Sequence, residues 1–410
     1  MRVFYTILIR LYSLIAGFAG LFSSKAKLWS NGRKNLLNKI KSEVLPFDGK
    51  TIWIHSASLG EFEQGRPLIE EIKNNYHQVR IIITFFSPSG YEIRKDYALA
   101  DHVYYLPADT PSNAHDFLSI IKPDISIFIK YEFWYNYLNE LDKLKIPVVF
   151  ISAIFRPQQV FFKFYGSWFL NHLKKANHFF VQNEDSKNLL ENAGIAQVSI
   201  SGDTRFDRVV SIAQNVKPNK LVEHFKGDHS LFLAGSTWPE DEKHLSSLVE
   251  HFPNTKFIIA PHIIDAAHIS QIQQLFPNSI KYSKATISNV SAFQVLIIDN
   301  MGMLSSLYQY ANFALIGGGF GAGIHNTLEA ATFGMPIFIG PNYYKFQEAK
   351  DLIDDEVVFV FENTEQLFSK LNKLNSDTTR YQSVVESSKR YVQSKTGATE
   401  MILNTVKEYL

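Results

Sequence analysis

The chain of 410 residues contains no cysteine, which excludes a disulfide framework, a thiolate metal site and a cysteine nucleophile. It also lacks any Asp-x-Asp pair and any H-E-x-x-H, which hold a divalent ion on a sugar diphosphate and a catalytic zinc, respectively. His262 and His268 are six apart and His325 stands alone beside a glycine loop, so no metal site is expected. No G-x-G-x-x-G occurs, and "SASLG" is not the G-x-S-x-G of a hydrolase elbow. An excess of one charge is missing too: the formal net charge is +1, and no nucleic-acid partner is expected.

That near-neutral total conceals an uneven distribution. Residues 1–50 carry nine Lys or Arg against only Glu43 and Asp48. The basic segment coincides with the most apolar stretch, "MRVFYTILIRLYSLIAGFAGLF", and together they point to an anionic membrane surface. From Leu11 to Phe22 the stretch is about 12 residues, short of the ~20 that cross a bilayer, and extending it to Val3 takes in Arg10. A cleaved signal peptide would end near Ser23 and Ser24, but "KAKLWSNGRKN" follows with the positive charge of a cytoplasmic flank. Residues 1–24 are therefore read as a retained membrane-associating segment, interfacial or weakly spanning, with an ordinary buried first helix as the alternative.

From residue 51, short strands rich in Ile, Val and Phe alternate with helical stretches. "TIWIHSA", "RIIITFF", "DHVYYLP", "DISIFIK", "PVVFISA", "HFFVQN" and "VSISGD" precede the polar stretch 213–230, which contains Pro218 and Gly227. "LFLAGST", "KFIIAP", "VLIIDN", "FALIGGG", "PIFIG" and "VVFVFE" follow it. Such alternation predicts an α/β chain of two Rossmann-like domains, 25–212 and 231–390, with a linker at 213–230. The two would face a cleft, with ligands at the carboxyl ends of strands. Residues 391–410 read as a helix packing back on the N-terminal domain.

Two strand-end loops carry candidate chemistry. In "WIHSASLGEFEQGRP", Ser58 and Glu61 have capping-box spacing, which gives Glu61 a structural reason to be there. Gly65 and Pro67 predict that the next helix is kinked or begins nearer Arg66. A glutamate there, with an ordinary pKa of about 4.3, would be ionised at neutral pH and available as a base. Glu63 lacks these features and reads as a solvated or acceptor-adjacent charge. In "ALIGGGFGAGIHNTLEAATFGMPIFIGP", Gly318, Gly319 and Gly321 let a backbone approach a phosphate. Asn326 and Glu329 have helix-capping spacing; Glu329 closes the helix end, accepts from ribose hydroxyls, or does both.

Taken in order, "WIHSASLGEFEQGRPLIEEI", "KYEFWYNYL", "SGDTRFDRV", "LAGSTWPEDE" and "DNMGMLSSLYQYANFALIGGGFGAGIHNTLEAATFGMPIFIGPNYYKFQEAKDL" resemble the blocks of the 3-deoxy-D-manno-octulosonic acid (Kdo) transferases. The resemblance covers nearly the whole chain and implies the GT-B glycosyltransferase architecture. It implies transfer of Kdo from CMP-Kdo to a lipid A precursor at the cytoplasmic face of the inner membrane, without cofactor or metal. By the same resemblance Glu61 is the general base, and Glu132 and Arg205 stabilise the transition state. CMP contacts fall on Pro261 and His262, on Met301, Gly302 and Met303, and on Asn326, Thr327, Leu328 and Glu329. Three positions depart from the family pattern: His262 replaces Arg, Met303 replaces Glu and Thr327 replaces Pro. Loss of the guanidinium removes a bidentate phosphate contact, whereas backbone contacts at Gly302 survive any side-chain change. Two alternatives remain: another GT-B enzyme using a UDP-sugar as transferase or epimerase, and a non-catalytic membrane-bound protein that binds a sugar nucleotide or lipid.

Overall fold

Apolar runs with no polar alternation make strands that are buried on both faces, and the first half of the chain assembles seven of them in parallel. They are β1 (Lys50–Ser56), β2 (Val79–Phe85), β3 (His102–Tyr105), β4 (Ile125–Ile129), β5 (Val148–Ala153), β6 (His178–Val181) and β7 (Val198–Ile200), in the order β3-β2-β1-β4-β5-β6-β7. Trp53, Ile82, Phe128 and Phe150 point into one apolar layer, while Ile52, Ile54, Ile83 and Ile127 point into the other. Trp53 is fully buried, and its indole N–H donates to Thr84 Oγ1 at 2.8 Å.

The second half repeats the plan with β8 (Ser230–Thr237), β9 (Thr255–Pro261), β10 (Ser279–Lys281), β11 (Val295–Ile297), β12 (Phe313–Ile316), β13 (Ile337–Ile339) and β14 (Val358–Val360). The order is β10-β11-β9-β8-β12-β13-β14, again all parallel. The edge strand β10 was not expected. Only its central Ile280 is buried, so it carries no apolar run to read. Each sheet has a point where strand order reverses, between β1 and β4 and between β8 and β12. Open parallel sheets bind ligands outside the carboxyl ends of strands at such points.

The computed structural model describes residues 1–410 and divides into two units, Met1–Asp207 with Thr396–Leu410, and Arg208–Lys395. The division therefore falls at Asp207, ahead of the stretch 213–230 expected as a linker. That stretch instead holds a helix, Lys220–Lys226, whose Val222 and Phe225 are fully buried. Residues 391–410 comprise the end of helix Thr378–Ser394, a break at Gly397 with φ 105°, and helix Ala398–Val406. Ile402 and Val406 join the core layer of the first unit beside Ile52, Phe62 and Leu68. The Asp207 carboxylate fixes this return by accepting from the Gly397 and Thr399 amides at 2.6 and 2.7 Å.

After β1 comes the helix Leu59–Asn75, which starts at Leu59 and continues through Pro67, so the expected later start does not occur. Gly65 lets it lie against β4, because a side chain there would collide with Ile129. At the N-terminus, helix Arg2–Ala19 is long and apolar enough to cross a membrane, but one side of it is docked. Tyr5 OH donates to Asp109 Oδ2 at 2.7 Å, Arg2 Nε donates to Asn136 Oδ1 at 3.1 Å, and Tyr12 meets Trp29 edge-on. Phe4, Ile7, Leu11, Leu14, Ile15 and Phe18 are exposed on the other side, Phe18 to 68%. It is thus not a buried core helix: an apolar stripe at helical spacing faces outward.

Gly319 shows where backbone contact admits no side chain, since a Cβ would stand 2.6 Å from the Cα of Gly340. Overpacking against backbone costs about 1–3 kcal/mol. Gly319→Ala is expected to lower the thermal midpoint of the second unit by several degrees, measured by circular dichroism or scanning calorimetry.

Candidate active site

In the first unit, Glu61 and Glu132 follow β1 and β4, the two strands flanking the reversal of strand order. Glu61 lies in the first turn of helix Leu59–Asn75, and its Oε2 accepts from the amides of Ala57 at 2.7 Å and Ser58 at 3.1 Å. Its Oε1 takes no hydrogen bond from the chain. One oxygen of the carboxylate therefore caps the helix, and the other is left without a hydrogen bond within the chain. Burial, and then the negative charge of Glu132, push its pKa up to about 7, against the pull of the two amides and Lys130. Glu61 is thus not the ordinary ionised glutamate expected from sequence; it is poised near neutrality, where a general base is most effective.

Glu132 is nearly buried and is held from behind. Its Oε2 lies 3.1 Å from His55 Nε2 and accepts from the Trp134 indole N–H at 2.8 Å. His55 is fully buried at the end of β1, with Nδ1 2.8 Å from Thr84 Oγ1. One proton assignment uses each donor once: Trp53 to Thr84, Thr84 to His55 Nδ1, and His55 Nε2–H to Glu132. Lys130 ends β4 in the left-handed region, with φ 62°. His55, Trp134 and Lys130 were not singled out from sequence; the available signal was a basic residue and a histidine at strand carboxyl ends.

Arg205 is tied to the same helix. Its backbone N and its Nε donate to the two oxygens of Asp203 at 2.9 and 2.8 Å, and Gln64 Nε2, one turn after Glu61, donates to Asp203 Oδ1 at 3.0 Å. Burial alone would raise the Asp203 pKa, but the Arg205 charge and these hydrogen bonds outweigh it and hold the carboxyl below its usual value. Glu63, by contrast, pairs with Arg94 at 2.7 Å and Arg66 at 3.6 Å, so it is a structural ion pair.

In the second unit, three groups of expected residues converge on the carboxyl ends of β9, β11 and β12. His262, just after Pro261, stacks on His325 with ring centroids 4.3 Å apart and on Trp238 at 5.0 Å. The Trp238 indole N–H donates to His325 Nε2 at 3.0 Å, which leaves the His325 ring proton on Nδ1. Burial and the His262 charge lower the His325 pKa. Met301 is exposed, Gly302 turns the chain with φ 89°, and the Met303 carbonyl accepts from Ser306. Ser305 Oγ donates to Glu329 Oε2 at 2.7 Å, joining this turn to the segment 326–329.

Asn326 and Glu329 meet differently from the expected cap. Asn326 Oδ1 accepts from the Leu328 amide at 3.0 Å, and Glu329 Oε1 accepts from the Asn326 side-chain amide at 3.1 Å instead of from backbone. The helix proper is Leu328–Phe333, and Thr327 before it is buried with its hydroxyl unpartnered. The glycine loop also departs from expectation. The Gly318 amide donates to Asp241 Oδ2 at 2.9 Å and the Gly321 amide to the Gly318 carbonyl at 3.0 Å, so neither is available to a phosphate in this arrangement. Burial raises Asp241 to about 6 against the pull of the Gly318 and Trp238 amides.

Two all-parallel Rossmann-like sheets of this order define the GT-B class. Among solved structures, UDP-GlcNAc 2-epimerase from Neisseria meningitidis bound to UDP-GlcNAc superposes with a TM-score of 0.60 at 17% identity, covering 88% of this chain and 100% of that one. That similarity is one of fold. Residues 29–208 match the family model described as 3-Deoxy-D-manno-octulosonic-acid transferase (kdotransferase). The chain is 27% identical to 3-deoxy-D-manno-octulosonic acid transferase of Haemophilus influenzae over 100% of its own length and 99% of that protein's. It is 29% identical to the enzyme of the same name from Rickettsia bellii over 79% of each. The chain is therefore similar to the Kdo transferases over most of its length.

The raised pKa of Glu61 has a consequence for stability. Folding favours its protonated form, so its contribution is fully present below the unfolded pKa of about 4.5 and is lost as pH rises through about 7. Glu61→Gln removes this titration. The thermal midpoint of the variant relative to wild type is expected to rise between about pH 5 and about pH 8, measured by scanning calorimetry.

Proposed function

We propose that the protein transfers Kdo from CMP-Kdo to a lipid A precursor with inversion at the anomeric carbon. The observation that carries this reading is Glu61: one oxygen fixed by two amides, the other unbonded, and a pKa of about 7 at a strand-order reversal. In the reaction Glu61 Oε1 takes the proton of the acceptor hydroxyl as that oxygen bonds to the anomeric carbon. The bond to the CMP phosphate oxygen breaks with its electrons going to CMP, a good leaving group that needs little acid assistance. Glu132, oriented by His55 and Trp134, keeps Glu61 basic, and Arg205 is assigned to transition-state stabilisation.

The second unit is assigned the donor nucleotide. His262 and His325, stacked with Trp238, form an aromatic shelf where the family pattern has an arginine, and Met301–Met303 and Asn326–Glu329 supply the remaining contacts. Glu329, already bonded to Ser305 and Asn326, is placed to accept from ribose hydroxyls. The helix Arg2–Ala19 is assigned to lie on the cytoplasmic face of the inner membrane, where the acceptor would reside. Its docked inner side and outward apolar stripe favour lying over spanning.

Glu61→Gln is expected to reduce kcat by about 10²- to 10⁴-fold, read by mass-counted transfer of Kdo; turnover within about tenfold of wild type in a folded variant would remove the base assignment. In the wild type kcat/KM is expected to fall below about pH 7, where Glu61 becomes protonated. Glu132→Gln, by removing the neighbouring charge, is expected to move this limb to lower pH. CMP is expected to raise the thermal midpoint and UDP is not, and the reverse would support a UDP-sugar enzyme.

A further inference from the structure

Apart from these sites, the first unit holds a cavity of about 450 Å³ beside the N-terminal helix, walled by Ser13, by residues 29–38 and by the 107–113 segment. Arg33 and Lys34 line it, and no acidic residue does. The Arg33 guanidinium donates to the carbonyls of Leu106, Trp29 and Phe86 at 2.9, 3.1 and 2.9 Å and lies 4.0 Å from the Trp29 ring centroid. Burial lowers its pKa to about 9, and no carboxylate pairs with it. A guanidinium carries five N–H donors, so three carbonyls leave it both charge and hydrogen-bonding capacity to offer. Ser30, Asn35 and Asn38 line the same cavity, and their side chains make no hydrogen bond within the chain.

A purely structural Arg33 would tie residues 29–33 to the ends of β2 and β3, and its three carbonyl bonds do so. The Trp29, Phe86 and Tyr105 rings also face its charge at 4.0, 5.1 and 5.0 Å, but neither they nor the carbonyls account for the second cation and the unpartnered donors around an open cavity. A partly desolvated guanidinium without an anion is costly, and a planar fork of donors matches phosphate geometry. The location narrows the source. Ser13 belongs to the helix whose opposite side is an apolar stripe, so a helix lying at the membrane surface places the cavity near headgroup level.

We propose that this cavity binds the phosphate ester of an anionic lipid, with Arg33 and Lys34 as its cationic wall. The proposal rests on the membrane reading of helix Arg2–Ala19. Binding of the full chain would be measured on vesicles of phosphatidylcholine alone, with added phosphatidic acid, and with a fatty acid giving equal surface charge. Phosphatidic acid is expected to be preferred over both. Lys34→Glu and Arg33→Gln are expected to abolish that preference, weakening phosphatidic acid binding about tenfold, while neutral-vesicle binding stays as in wild type. Phe18→Asp is expected to weaken binding to all three.

If Lys34→Glu, with a wild-type thermal midpoint, kept the preference, or if phosphatidic acid and fatty acid bound alike, the cavity assignment would be overturned. Protection of the wild type by inorganic phosphate, without preference among vesicles, would overturn the lipid source. A protein that ignored every vesicle would overturn the membrane reading itself, an outcome distinct from binding all vesicles equally.

Discussion

Two backbone amides, those of Ala57 and Ser58, converge on one oxygen of Glu61, and the first unit's site depends on that contact. It fixes the corner where β1 becomes a helix and leaves the second oxygen without a hydrogen bond within the chain. The same helix carries Gln64, which holds Asp203 and through it Arg205. A displaced corner would therefore move Glu61 and the Arg205 guanidinium together. The amides favour the ionised form, whereas burial and Glu132 oppose it, and the balance near neutrality leaves the group able both to hold and to release a proton.

The two units apply one topological rule with different chemistry. In the first unit Glu61 and Glu132 follow the two strands that flank the reversal of strand order, whereas in the second Trp238 and the glycine loop follow the flanking β8 and β12 and His262 and Met301 follow β9 and β11. The first unit fills its crevice with carboxylates supported by a buried histidine and a half-buried tryptophan. The second lines its own with a stacked Trp238, His262 and His325, and with a loop whose Gly318 amide is already satisfied by Asp241. On the proposed reading, the carboxylate pair serves proton transfer and the aromatic, hydrogen-bonding group serves the nucleotide.

The N-terminal helix adds a third constraint. Its inner side is held by Tyr5, Arg2 and Tyr12, and its outer side is exposed, with Phe18 meeting Phe22. On the proposed reading, an amphiphilic acceptor and this helix would meet at the same interface, which would give the basic segment 1–50 a physical use beyond solubility.

The sequence by itself determined the strands with long apolar runs, their parallel arrangement and the place of Glu61, because burial on both faces leaves a pattern that needs no partner to be read. The resemblance in ordered motifs pointed to Glu132 and Arg205 as candidates. Local pattern did not reveal β10, whose three residues bury one side chain, and it left open whether the helix begins before Pro67. It placed a linker where Val222 and Phe225 are buried. Only the tertiary structure decided that Glu61 is held near neutrality, that Glu329 meets a side-chain amide instead of backbone, and that the Gly318 amide is taken by Asp241. Fields and hydrogen bonds between residues distant in the chain set these outcomes, and spacing along a sequence does not encode them.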